Sequence, residues 1–183
     1  MEKIVGNFVK RIDYHFKEPS PENTGHVIIA VLERVKEVKV DKTAVASTSG
    51  DTAVKLCKAL EGRAKVIAIS YEKMKRENIE ELRKWGAKIV EDRYIDFDKR
   101  VRDTLCTLGP GFKVAVEVVL ISVDEGLVGV GEEVIAIGGT DKGADTAILV
   151  KAASTEGIIG PDPNERLEIR EIIALPLLKK WWE

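Results

Sequence analysis

The sequence predicts an α/β domain built on a mostly parallel, open sheet, and three observations carry that prediction. Short runs of near-continuous apolar, β-branched character recur at TAVAS (43–47), KVIAIS (65–70) and AKIV (87–90), as strands covered on both faces require. Segments with helical apolar spacing separate them, so the order reads β-α-β-α-β and demands right-handed crossovers. Toward the C-terminus the pattern changes to strand-like runs joined by turns, which predicts closing strands with some antiparallel pairing.

In chain order, a strand-like IDYHF precedes PENTGHVIIAVLERVKEV (21–38), a helix with Val27, Val31, Val35 and Val38 on one face. Residues 50–61 place Ala53, Leu56, Cys57 and Leu60 at i, i+3, i+4, i+7 spacing, a second apolar helical face. RENIEELRKWG (76–86) places Ile79, Leu82 and Trp85 three apart and stops on Gly86. KVAVEVVLISVDEGLV (113–128) is ambiguous: its β-branched content favours a strand, and a wholly apolar buried helix would look the same. EEVIAIGG (132–139), TAILVKAA (146–153) and RLEIREIIAL (166–175) read as strands, the last alternating Leu167, Ile169 and Glu171; STEGIIGPDPNE (154–165) is a loop. With no internal repeat and no linker, residues 1–183 form one expected domain.

Composition narrows the function classes. Hydrophobic residues at 44% and charged residues at 33% describe a globular chain. A net charge of −2 argues against a general nucleic-acid binder, and no apolar run approaches the roughly 20 residues of a membrane span. MEKIVGNFVKRIDYHF carries no signal-peptide core or small-residue cleavage site, so a cytoplasmic location is expected. Cys57 and Cys106 stand without a CxxC and with only His15 and His26 beside them, which makes neither a zinc site nor a disulfide the expectation. Both thiols read as small buried hydrophobes. Glutamine is absent and Glu and Lys together number 39, the thermophile pattern. LPLLKKWWE, with Trp181 and Trp182 adjacent, suits burial against a partner subunit in a homo-oligomer or over the chain's own sheet edge.

The candidate chemistry lies in three polar loops at strand ends. Ser47, Thr48, Ser49, Gly50, Asp51 and Thr52 follow one strand and open a helix, at the sheet edge where α/β proteins bind ligands. A helix start leaves about four amides unpaired with partial positive charge; Gly50 would let the backbone approach an anion, and the hydroxyls can donate to phosphate oxygens. The segment also reads as a capped turn with Ser49 or Asp51 as N-cap; it is neither a Walker A loop nor a GxGxxG. IGGTDKGADTA (137–147) supplies Gly138, Gly139, Thr140, Lys142, Gly143 and Asp145, more than a turn needs although Gly and Asp are ordinary turn residues. Asn23 and Thr24 form the third loop, where either residue equally reads as a helix cap. Together the loops point to a phosphorylated small ligand, with Ser70 and Tyr71 following the next strand and Tyr71 a candidate shelf for a flat ring or an exposed rim residue.

In this order, STSGDTA, KVAVEVVLISVDEGLV and EEVIAIGGTDKGADTA resemble the C-terminal domain of pyruvate kinase. More closely, with the PENT loop, WGAKIV and EIREIIALP, the chain resembles a stand-alone family of archaeal and bacterial pyruvate kinase alpha/beta domain proteins over roughly residues 12–176. The resemblance implies a three-layer α/β/α sandwich, and it implies that 113–127 is a buried helix, with Glu117 expected as a satisfied buried carboxylate rather than a catalytic base. It also implies flavin mononucleotide (FMN) as ligand, with the phosphate at Ser47–Thr52 and the ribityl chain on polar loop atoms. Two alternatives stand beside it: a non-catalytic sugar-phosphate or nucleotide sensor, and a flavin-dependent oxidoreductase, for which Glu117, Asp141 and Asp145 are the available acids. Pyruvate kinase activity is not expected, because nothing supplies the phosphoenolpyruvate, metal and ADP sites of the catalytic barrel. The chain departs from the family pattern at EDRYIDFDKRVRDTLCTLG, expected to lack the family's helical extension there, and at 154–165.

Overall fold

The computed structural model describes residues 8–180. Seven strands, β1 (Tyr14–Phe16), β2 (Lys42–Ala46), β3 (Lys65–Ile69), β4 (Lys88–Val90), β5 (Glu133–Gly138), β6 (Thr146–Lys151) and β7 (Glu168–Pro176), form one sheet in the order β1-β7-β6-β5-β2-β3-β4. The β5-β2-β3-β4 block is parallel throughout, as the apolar runs predict. β6 runs antiparallel to both neighbours, and β1 closes the edge parallel to β7.

Five helices cover the two faces, giving the α/β/α sandwich. On one face lie α1 (Asn23–Glu37), α2 (Asp51–Leu60) and α3 (Arg76–Lys84). Their stripes, including Val27, Val31, Leu56, Leu60 and Leu82, pack on Val45, Val66 and Ala68 of the sheet. α4 (Lys99–Cys106) and α5 (Pro110–Asp124) lie on the other, where Val116, Val119 and Leu120 meet Ala44, Ile67 and Ile69. Successive residues of one strand thus serve opposite cores, which is why these strands read as continuous apolar runs.

α5 is the helix that strand propensity misreads. Pro110 stands in its first turn after Gly109 at φ 107°, and Gly126 at φ 69° follows its end. Proline at a helix start and a left-handed glycine just past its end are helix punctuation. Between them the helix is apolar nearly all round and buried along most of its length, so burial decides over β-branched preference. Glu117 is buried and satisfied, as expected.

The segment 91–109 carries one short helix, α4, capped by Asp98 Oδ1 accepting from Arg100 N at 2.9 Å. Val101, Leu105 and Cys106 are its apolar residues, too few for periodicity to register. Cys57 and Cys106 are free and buried; burial pushes the Cys57 thiol up to about 11 and raises that of Cys106, so both are poor nucleophiles. Among the described residues no helix is long and apolar enough to cross a membrane. Trp181 and Trp182 lie outside the described residues.

Candidate functional site

The carboxyl ends of β5, β2, β3 and β4 share one edge of the sheet. The helix leaving β2 packs on one face while the helix feeding β5 packs on the other, so a crevice opens where these connections diverge. A cleft of about 1190 Å³ occupies it, room for a nucleotide-sized molecule. Three strand spacings of about 4.8 Å, roughly 14 Å in all, separate β5 from β4. A ligand laid along this edge can therefore reach from the β5 loop to the β4 loop.

Ser47, Thr48, Ser49, Asp51 and Thr52 all line the cleft. The N-cap of α2 is Gly50, in the left-handed region at φ 90°, and not Ser49 or Asp51. Ser47 Oγ accepts from Ala53 N at 3.2 Å and Ser49 Oγ from Asp51 N at 3.3 Å. Gly50 N donates to Ser47 O at 3.1 Å. The amides of Thr48, Ser49 and Thr52 have no acceptor among the described residues. Gly50 itself does not line the cleft: a side chain there would strike Asn78 Cβ at 2.7 Å. Its role is the turn that aims these amides, in place of the close approach to an anion expected from the sequence.

Asn78 of α3 props this loop, and nothing local in the sequence announces it. Its Nδ2 donates to Ser49 O and to Asp51 Oδ1, both at 2.8 Å. Ser49 Oγ donates to Asp51 Oδ2 at 2.6 Å, and Lys75 Nζ lies 3.4 Å from the same oxygen. These bonds, that of Ser49 first, hold the Asp51 carboxyl below the usual aspartate range. A depressed folded-state pKa stabilises the fold above the ordinary aspartate value, and the contribution is lost as acid protonates the group below it. An NMR pH titration is therefore expected to show the Asp51 carboxyl titrating at lower pH than in a short unstructured peptide. In the Asn78→Ala variant its midpoint is expected to move back upward.

The second loop joins the first. Gly139, Thr140, Asp141, Lys142 and Gly143 line the cleft, with Thr24 at its margin. Thr24 does not cap α1, whose N-cap is Glu22; its Oγ1 accepts from Ala144 N at 2.9 Å and ties the loop to α1. Asn23 Nδ2 donates to Glu18 O at 2.9 Å and stays outside the cleft. Gly138 and Asp145 are likewise structural. Gly138 lies against α5, and the Asp145 carboxylate accepts from Thr140 N at 2.9 Å and Thr146 Oγ1 at 2.7 Å. Thr140 Oγ1 is buried without a hydrogen-bond partner among the described residues.

Part of the cleft wall is apolar, from the ends of β2 and β3 and from α5. Ala46, Ile69, Val114, Val118 and Ile121 line it, and the segment Arg93–Ile95 forms a further wall. Ser70 Oγ donates to Thr48 O at 3.3 Å and accepts from Glu72 N at 3.1 Å, while Arg93 N donates to Ser70 O at 3.1 Å. Tyr71 and Tyr94 stand on the rim, 61% and 70% exposed. Tyr94 belongs to the connection between β4 and α4, whereas no residue of the loop 154–165 lines the cleft.

Six cations line the cleft, and most are committed. Lys73 pairs with Asp92, Lys75 with Asp51, Arg93 with Glu125 and Lys113 with Glu117. Lys55 and Lys142 have no ion pair among the described residues, and they come from the two polar loops' own neighbourhood: the second turn of α2 and the β5–β6 loop. Free amides, hydroxyls and two uncommitted ammonium groups thus line the same cleft.

A family model described as pyruvate kinase, alpha/beta domain, matches residues 26–150, about two thirds of the chain. The match takes in both polar loops and α5. It begins just after Thr24 and ends inside β6, leaving β1 and β7 beyond it.

Proposed function

Since the chain belongs to the pyruvate kinase alpha/beta domain family, we propose that it binds a phosphorylated small ligand, FMN, along the carboxyl edge of its sheet. The observation that carries this reading is one continuous cleft lined both by unpaired amides and free cations after β2 and β5 and by apolar side chains from β2, β3 and α5, with two tyrosines on its rim. The phosphate would take the Thr48, Ser49 and Thr52 amides with Lys55 and Lys142. The Thr140 hydroxyl, buried and unpartnered, suits the polyol chain, and the flat ring would fill the slot beside Tyr71 and Tyr94. A cytoplasmic location accords with such a ligand and with two free thiols.

One observation favours binding without catalysis. Of the three acids available as a base, Glu117 and Asp145 each already accept two hydrogen bonds, and only Asp141 lacks a partner among the described residues. A regulatory sensor of sugar phosphates or nucleotides is thus the second reading, ahead of a flavin-dependent oxidoreductase. Mass spectrometry of whatever copurifies, with titration of the stripped protein by FMN, separates them. Flavin absorbance and saturable FMN binding are expected. A colourless protein that ignores FMN and binds phosphorylated sugars would leave the sensor reading standing alone.

A further inference from the structure

Lys113 and Glu117 stand one turn apart on α5, in the same wall as Val114, Val118 and Ile121. Glu117 is only 9% exposed. Its Oε2 accepts from Lys113 Nζ at 2.9 Å and its Oε1 from Ile95 N at 2.8 Å. An ion pair in an apolar wall forfeits hydration, and packed aliphatic residues of similar size serve stability as well or better. Holding the Ile95 amide accounts for Glu117 alone. Lys113 Nζ makes no other hydrogen bond among the described residues, and an ammonium has three donors. Two N–H donors are therefore left beside a slot whose floor, Ala46 and Ile69, offers them no acceptor.

Building on the flavin reading, we propose that Lys113 is the residue that selects the ring. It donates to carbonyl oxygens on the edge of an oxygenated flat heterocycle seated in the slot. Glu117 is a positioning residue that holds the ammonium against α5 and fixes the Arg93–Ile95 wall. The pair thus favours a ring rich in carbonyl acceptors over a purely aliphatic or unsubstituted aromatic group of the same size: Lys113 is partly exposed, a ring seated over it displaces water from the ammonium, and only carbonyl oxygens replace the lost hydrogen bonds.

Riboflavin and FMN, which share the ring and differ in the phosphate, provide the test. Both are titrated into the full-length wild type, Lys113→Met, Lys113→Arg and the double variant Lys113→Met/Glu117→Gln, the last avoiding a stranded carboxylate. Lys113→Met and the double variant are expected to weaken both ligands by the same factor, about tenfold or more, leaving the FMN-to-riboflavin ratio unchanged. Lys113→Arg should recover most of the loss. Wild-type affinity for both ligands in the two methionine variants overturns the assignment. So does a loss confined to FMN, which would place Lys113 at the phosphate. A wild type that binds neither ligand removes the flavin reading itself, and this inference with it.

Discussion

Gly138→Ala is expected to lower the midpoint of thermal unfolding by about 6–12 °C, the shift that a loss of about 3 kcal/mol produces in a domain of this size. Gly138 ends β5 directly beneath the first turns of α5. A Cβ there would lie 2.2 Å from Gly111 O and 2.7 Å from Ala115 N. Both are backbone atoms, so no side-chain rotation relieves the overlap and the helix itself must move. The glycine's dihedral angles are ordinary, which makes the penalty one of packing alone. Gly25→Ala is the control: it lies in α1 with nothing within 4 Å of the added methyl, and is expected to hold or raise the midpoint through helix propensity. Equal midpoints for Gly138→Ala and wild type, by calorimetry, would mean that α5 does not approach β5 this closely.

The same contact shows why the fold was readable and part of the site was not. Strands β2, β3 and β5 announce themselves because each is buried on both faces, and α1 and α2 because each buries one stripe. These are properties of consecutive residues. The loops Ser47–Thr52 and Gly139–Gly143 were equally legible, since a strand followed by hydroxyls and glycine marks a sheet edge wherever it occurs. That both loops line one cleft depends on β5 pairing beside β2, a contact between residues some 90 apart in the chain. Tertiary placement also decides the residues the sequence did not reveal. Lys55 reads as a solvated position on α2, Tyr94 as one residue of a polar connection, and Asn78 as a plain helix residue. Each acquires a role only when a distant segment is brought against it. Gly138 and Asp145, turn-type residues of the same motif, take structural contacts that only the tertiary structure reveals: Gly138 lies against α5, and Asp145 accepts from Thr140 N.

Gly50→Val is expected to reduce FMN affinity by about a hundredfold or more, the loss of two charge-assisted hydrogen bonds in the cradle. Two effects act together. At φ 90° the residue occupies a conformation that a β-branched side chain resists, and its Cβ would meet Asn78 Cβ at 2.7 Å. Relief requires the Ser47–Thr52 turn to lift away from α3, which breaks the Asn78 bonds to Ser49 O and Asp51 Oδ1 and turns the free amides out of the cleft. Gly62→Val separates strain from site. It too has a left-handed backbone, at φ 81°, but open space around the added atoms, and it follows the far end of α2 from the cradle. That variant is expected to lose stability through the backbone term and to bind FMN as the wild type does. If Gly50→Val also bound FMN normally while folded, the turn could not be the phosphate cradle, because a loop displaced by a valine would no longer present the same three amides to the ligand.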